Sequence, residues 1–182
     1  MGERPVVIYI PVPKIVKRFI MSEKYRFKPA SQQELSLYCF VGESVCAVQH
    51  VEDALSHSIV LKKIKPRLKS EADKHLEKHR SYTLGKAIKI AEKGSLYPEL
   101  LQRELKEFLS ERNWLIHKSI AQGRDEWDLN ISREKLICRI KTIITQAQKL
   151  LQMIEEDLIE FSEANGVDMS RVRAEIDKHY FE

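Results

Sequence analysis

From Ser31 onward, apolar residues fall at helical spacing. Val41, Val45, Val48, Val51, Leu55 and Ile59 lie three or four positions apart, as on one face of a helix with 3.6 residues per turn. The pattern predicts a helix from about residue 32 to residue 64, stopped before Pro66, because proline lacks the N–H and clashes with the preceding turn. A second long seam runs through Leu136, Ile140, Ile143, Ala147, Leu150, Ile154, Leu158 and Phe161. Asn130 or Ser132 suits its N-cap, and Asn165-Gly166 its close. Asp168 then suits the start of a short terminal helix.

Between the two seams the pattern is shorter. Thr83 caps a helix, TLGKAIKIAEK, closed by Gly94. Pro98 fits the first turn of the next helix, PELLQRELKEFLSERNWLIHKSIAQ, which ends at Gly123, and GRDEWDLN reads as a loop. KKIKPRLKSEADKHLEKHR (62–80) has no usable apolar face and reads as a charged connection, partly helical. Residues 1–30 hold prolines at 5, 11, 13 and 29 and no sustained period. Their VVIYI run suits a short strand and PKIVKRFIM one or two amphipathic turns, so they read as an extended arm docking on the helical body or a partner.

The expected architecture is all-α. Two helices of roughly 30 residues, each about 45 Å long at 1.5 Å per residue, frame an antiparallel bundle with a shorter helix between them. The expected organisation is an arm at 1–30, a helical bundle at 31–165 and a short C-terminal helix at 166–182.

Composition agrees with this picture. The 182 residues fit one domain, and six Gly and six Pro are too few for a many-stranded β fold. The net charge of +4 is uneven: residues 1–30 hold seven Lys or Arg against two Glu, so the remainder is close to neutral. No apolar run approaches the roughly 18 residues of a membrane span, and the proline-broken start is unlike a signal peptide. Cys39, Cys46 and Cys138 form no CxxC pair, and Cys39 and Cys46 would sit about 10 Å apart on one helix, too far for a disulfide. A reducing cytoplasm and buried thiols follow as expectations. There is no phosphate-binding G-x-x-x-x-G-K-[ST], no GxGxxG and no Ser nucleophile elbow.

Against this ordinary background, SERNWLIHKS (110–119) is unusual. On a helical wheel Leu101, Leu105, Phe108, Leu109, Leu115 and Ile116 form one apolar stripe, with Arg112 in its middle and Asn113 and His117 along its edge. On the first long helix Glu52 lies between Val48 and Leu55, also on the apolar face. A buried unpaired charge costs several kcal/mol, so the wheel predicts that Glu52 and Arg112 meet. Such a pair has two readings: an ion pair that fixes the register of a bundle, or part of a site.

The sequence Arg112-Asn113-Trp-Leu-Ile-His117 resembles the R-x4-6-H motif of the HEPN superfamily, with its polar residue directly after the Arg, and TLGKAIK with LSERNWLIHKS is similar to a bacterial version of these domains. The resemblance covers about residues 32–163 and leaves the arm aside. It implies a metal-independent, cofactor-free endoribonuclease whose site forms where two protomers of a homodimer meet. It also implies a toxin–antitoxin or phage-defence setting, with an antitoxin or regulatory protein as a further partner. In this reading the 2′-hydroxyl of RNA attacks the adjacent phosphodiester, leaving a 2′,3′-cyclic phosphate. His117 serves as general acid or base, its ordinary pKa being near neutrality. Arg112 holds the phosphate and stabilises the developing charge. Asn113 orients either, and Glu52 supports Arg112. Arg112 and His117 are five apart, about 140° around a helix, so two symmetry-related helices build the site better than one. An Arg locked to a core carboxylate grips phosphate less freely, which sets the two readings of Glu52 against each other.

Weaker signals complete the inventory. His75 and His79 have an HxxxH spacing that can bind zinc, but no third ligand is evident, and a solvated surface is the plainer expectation. His50 and His57 are expected to flank the core. Lys62, Lys63, Lys65, Arg67 and Lys69 open a basic segment that is either solvated or a phosphate-tracking surface. The alternatives to a nuclease are a non-catalytic HEPN-like module that binds a nucleotide, RNA or protein, and a helical interaction protein whose Arg112 is structural.

Overall fold

A computed structural model describes residues 31–65, 68–119 and 130–181. The arm at 1–30, Arg67 and the GRDEWDLN loop lie outside the described residues. Of one compact unit, residues 1–35, the described part is Ser31–Leu35; the other unit, residues 36–182, holds the rest.

All the described elements are helical, and they form a helical bundle. Helix α1 spans Gln32–Ile59. Its start is a reciprocal capping box: the Glu34 carboxylate accepts from the Ser31 N–H at 2.8 Å, and the Ser31 hydroxyl accepts from the Glu34 N–H at 3.3 Å. The helix widens into a π-turn at Val60–Ile64 and ends at Lys65, which is left-handed with φ 49°. Pro66 follows in the sequence, and a residue before proline is disfavoured in the right-handed helical region.

Helix α2, Lys69–Arg80, occupies the segment expected to be mainly a charged connection. Lys, Glu, Ala and Leu are good helix formers. Glu71 in the first turn and Lys78, His79 and Arg80 in the last also match the helix dipole. A narrow side through Ala72, Leu76 and His79 is buried or half-buried. Helix α3, Leu84–Lys93, begins where Thr83 accepts from the Lys86 N–H, and it buries Leu84, Ala87, Ile88 and Ala91. Gly94 caps it in ordinary right-handed geometry; the left-handed residue is Ser95, with φ 47°. What Gly94 supplies is room, since a Cβ there would meet Leu96 at 3.1 Å.

Helix α4, Glu99–His117, carries the motif. Pro98 takes its N-cap position, one residue earlier than expected, and the helix ends at His117, well short of Gly123. Helix α5, Asn130–Ala164, presents the predicted seam: Leu136, Ile140, Ile143, Ala147, Leu150 and Ile154 are buried, Leu158 and Phe161 half-buried. It closes in a Schellman motif, with Val167 N–H on Ser162 O at 3.1 Å, Gly166 N–H on Glu163 O at 2.9 Å, and Gly166 at φ 82°. The Asp168 carboxylate then accepts from the Ser170 N–H at 3.0 Å to start α6, Ser170–Phe181.

The core gathers α1, α3, α4 and α5 around Leu55, Ile59, Leu84, Leu105, Ile140, Ile143, Leu150 and Ile154. Among the described residues no helix is long and apolar enough to cross a membrane. Cys39, Cys46 and Cys138 are free and exposed, which corrects the expectation of buried thiols.

Candidate functional site on the last turns of helix α4

Near its C-terminal end, α4 buries a different side from the one its upstream stripe predicts. Leu101, Leu105, Phe108 and Leu115 are buried as expected, but Ile116 is 43% exposed and Trp114, roughly opposite on the wheel, is only 8% exposed. The cause lies on α5. The Arg139 guanidinium stacks 3.8 Å from the Trp114 ring and donates to both oxygens of Glu111 at 2.8 and 3.0 Å. This clamp draws the Trp114–Glu111 side of α4 toward α5. Asn113, Ile116 and His117 are left on an exposed sector.

Arg112 stands at the edge of that sector. Its Nε donates to one oxygen of Glu52 at 3.0 Å, one Nη lies 3.0 Å from that same oxygen, and its other Nη donates to the Asn113 Oδ1 at 3.5 Å. The side chains are 20% and 27% exposed for Arg112 and Glu52. The pairing read from the two wheels is therefore present, but it is half-solvated and not sealed in the core. A guanidinium holds five N–H donors in a planar fork, and Glu52 engages one edge of it. The remaining edge points toward Asn113.

The residue after Glu52 repeats the arrangement on another side of α1. Asp53 accepts from Arg80 of α2 at 2.6 and 3.3 Å, and His57 Nδ1 lies 2.9 Å from the Asp53 carbonyl and 3.4 Å from its carboxylate. The hydrogen bond from Arg80 is the main reason the Asp53 pKa falls below its ordinary value, with His57 and His50 adding to it and partial burial opposing it. Consecutive acids on α1 thus tie it to α4 and α2 through arginines. His50 is exposed and His57 half-exposed, so neither lines the core.

Among the basic candidates, Lys63, Lys65 and Lys69 are exposed. Lys62 is not part of such a surface. Its buried ammonium pairs with Asp157 of α5, donates to the Leu96 carbonyl at 3.1 Å, and lies 4.9 and 5.3 Å from the rings of Tyr97 and Phe161. Burial also raises the pKa of Tyr97 well above the usual phenol value. The signal for Lys62 was in the register: it follows Leu55 by seven and Ile59 by three, on the apolar seam itself.

Of the HxxxH pair, His75 is half-buried and His79 buried, its ring 5.0 Å from that of Tyr82. Among the described residues no group of three or more His, Cys, Asp or Glu side chains is placed to hold a metal ion. Elsewhere, Glu43, Cys46 and His50 of α1 face Gln148 and Gln152 of α5 across an open groove over Ala47, Ile144, Ala147 and Leu151.

Compared with known protein families, curated proteins and solved structures, the chain matches none of them.

Proposed function

We propose that the protein is a metal-independent endoribonuclease of HEPN type, acting as a homodimer whose two α4 helices supply a composite site. The observation that carries the reading is the state of Arg112. It is oriented by Glu52, half-open to solvent, and adjacent to exposed Asn113 and His117. A charge held in place at a surface is suited to stabilising a phosphorane-like transition state, because its orientation is set before the substrate arrives. An exposed imidazole suits proton transfer from the 2′-hydroxyl. Asn113, close to the second edge of the guanidinium, orients either the phosphate or the imidazole.

The roles follow from the chemistry. His117 of one protomer takes or returns a proton, Arg112 holds non-bridging phosphate oxygens, and Glu52 keeps Arg112 from folding away. A toxin–antitoxin or phage-defence role, with an antitoxin as partner and a cytoplasmic location, belongs to the same proposal and rests on the motif resemblance.

The Glu52–Arg112 contact also favours a second reading. A guanidinium already neutralised by a carboxylate suits a module that binds a nucleotide, RNA or protein without cleaving it. Incubating the purified protein with mixed RNA in EDTA separates the two. Cleavage that survives chelation and leaves 2′,3′-cyclic phosphate ends supports the nuclease. Intact RNA with a folded dimer present supports the binding module, and activity restored only by added metal rules out both the metal-free chemistry and the roles assigned to His117 and Arg112.

A further inference from the structure

A cluster of positive charge at the junction of α1, α2 and α3 is used by nothing described so far. Lys63 leaves the π-turn of α1, His75 and Lys78 project from α2, and Lys86 from the first turn of α3; the three lysines are exposed. Lys86 is held over the Tyr82 ring, its ammonium 3.5 Å from the centroid, which fixes a cation that would otherwise sweep freely through solvent. At the centre lies His79, 8% exposed, with Nδ1 buried and without a hydrogen-bond partner among the described residues. Such an orphan is costly unless something compensates it.

Acidic groups balance this cluster only in part. On α2, Asp73 and Glu77 lie on the side of Arg80, whose charge is already taken by Asp53, and Glu71 is the one acid of this helix at the spacing that shares the side of His75 and Lys78. Burial lowers the His79 pKa first, and the next causes are the positive charges of Lys63, His75, Lys78 and Lys86. Lys63, Lys78 and Lys86 thus outnumber Glu71 here, and the charge around His79 is positive.

Position says which anion. Lys63 follows Glu52 by eleven residues, close to three turns and roughly 15 Å along α1. Glu52 holds Arg112, so one helix carries both the motif contact and the basic cluster, and Arg80 beside His79 is tied to Asp53 beside Glu52. A polyanion that reaches Arg112 can continue along α1 to this patch within a few nucleotides.

We propose that Lys63, Lys78 and Lys86, grouped around His79, bind backbone phosphates of single-stranded RNA flanking the segment held at Arg112. The proposal deepens the nuclease reading and rests on it for the direction of the strand. Binding is independent of sequence and sensitive to salt, as expected of counterion release from a phosphate backbone. His79, being buried, reports on the anion and does not grip it.

The test uses full-length His117→Ala protein, so that binding is read without cleavage, and a labelled single-stranded RNA followed by fluorescence anisotropy at several salt concentrations. Charge reversal in a Lys63→Glu, Lys78→Glu, Lys86→Glu variant should weaken binding by at least about 10-fold. It should also flatten the salt slope by about 2, three phosphate contacts at roughly 0.7 each. Unchanged circular dichroism keeps this from being misread as unfolding. As a second readout, the His79 imidazole in the His117→Ala protein should titrate at higher pH with RNA bound, by NMR. Unchanged affinity and slope in the triple variant, or no RNA binding, overturns the patch. If pyrophosphate alone raises the His79 titration as far as RNA does, a free phosphate compound is the ligand and the RNA assignment falls. Patch-dependent binding with no cleavage by the unsubstituted protein leaves the patch standing and removes the nuclease reading; cleavage with patch-independent binding does the reverse.

Discussion

Arg112 donates its Nε to one oxygen of Glu52 at 3.0 Å, and one Nη lies 3.0 Å from that same oxygen. A bidentate grip would use both carboxylate oxygens and occupy one full edge of the fork in matched geometry. A contact with one oxygen alone holds less rigidly, and both side chains keep access to solvent. The contact orients Arg112 more than it stabilises the bundle.

It follows that Arg112→Ala costs little stability. Water reaches the Glu52 left behind, so the loss should stay within about 1 kcal/mol, as for solvent-accessible ion pairs. Glu52→Gln should keep Arg112 in place by hydrogen bonding, whereas Glu52→Ala should release it. The expected order of RNA cleavage is wild type, then Glu52→Gln, then Glu52→Ala, with Arg112→Ala abolishing it. Thermal melts beside a cleavage assay check this, and a melting temperature that collapses with Arg112→Ala would make the residue structural.

For His117 the structure predicts separation of stability from activity. The side chain is exposed in the last turn of α4, so His117→Ala should change stability by no more than about 0.5 kcal/mol. A proton-transfer role predicts a rate loss on the order of 10² or more. Retention of full cleavage by the alanine variant would refute that role.

Much of this was legible from spacing alone. The two seams, the Thr83 cap and the Glu52–Arg112 contact all follow from helical period and the cost of leaving a charge alone on an apolar face. What escaped was set across helices. Trp114 sits off the stripe, and Arg139, 25 positions later on α5, stacks on it from across the bundle. Helix α2 was hidden because its buried side is narrow, Ala72, Leu76 and His79 set among charged residues. Lys62 was legible by register but was grouped by charge with its neighbours. Its position on the seam decided its fate, because Asp157 was there to receive it.

The Asp53–Arg80 contact predicts a pH dependence. Arg80 holds the folded Asp53 pKa below its usual value, so the contribution of this contact is complete above the unfolded value of about 4. As pH falls below that, the unfolded chain takes up the proton first, and the contribution is gone once pH passes the lower folded pKa. Asp53 is well exposed, which keeps the effect small. Melting temperatures at pH 5 and pH 3 should therefore converge slightly more in Asp53→Asn than in wild type, and an identical acid response would show that the contact contributes nothing.

The last prediction divides the basic segment by burial. Removing the Lys62 side chain, whose ammonium lies over the Tyr97 and Phe161 rings, strands half-buried Asp157. Breaking one partner of a buried pair costs about 3–5 kcal/mol, and the partial access of Asp157 to solvent points to the lower end. At about 2–4 °C per kcal/mol for a chain of this size, Lys62→Ala should lower the melting temperature by about 6–12 °C. The double change Lys62→Met with Asp157→Leu should recover most of it, because neither charge is then left alone. Lys63→Ala, Lys65→Ala and Lys69→Ala, all at exposed positions, should leave the melt within about 0.5 kcal/mol of wild type. Within this segment, a loss of RNA affinity should come from these exposed lysines, Lys63 first, and not from Lys62, with the salt slope flattened by roughly 0.7 for each phosphate contact removed. A stable Lys62→Ala protein with weakened RNA binding would reverse the assignment: the ammonium would then leave Asp157 to meet phosphate, and the internal ion pair would not be what holds Lys62.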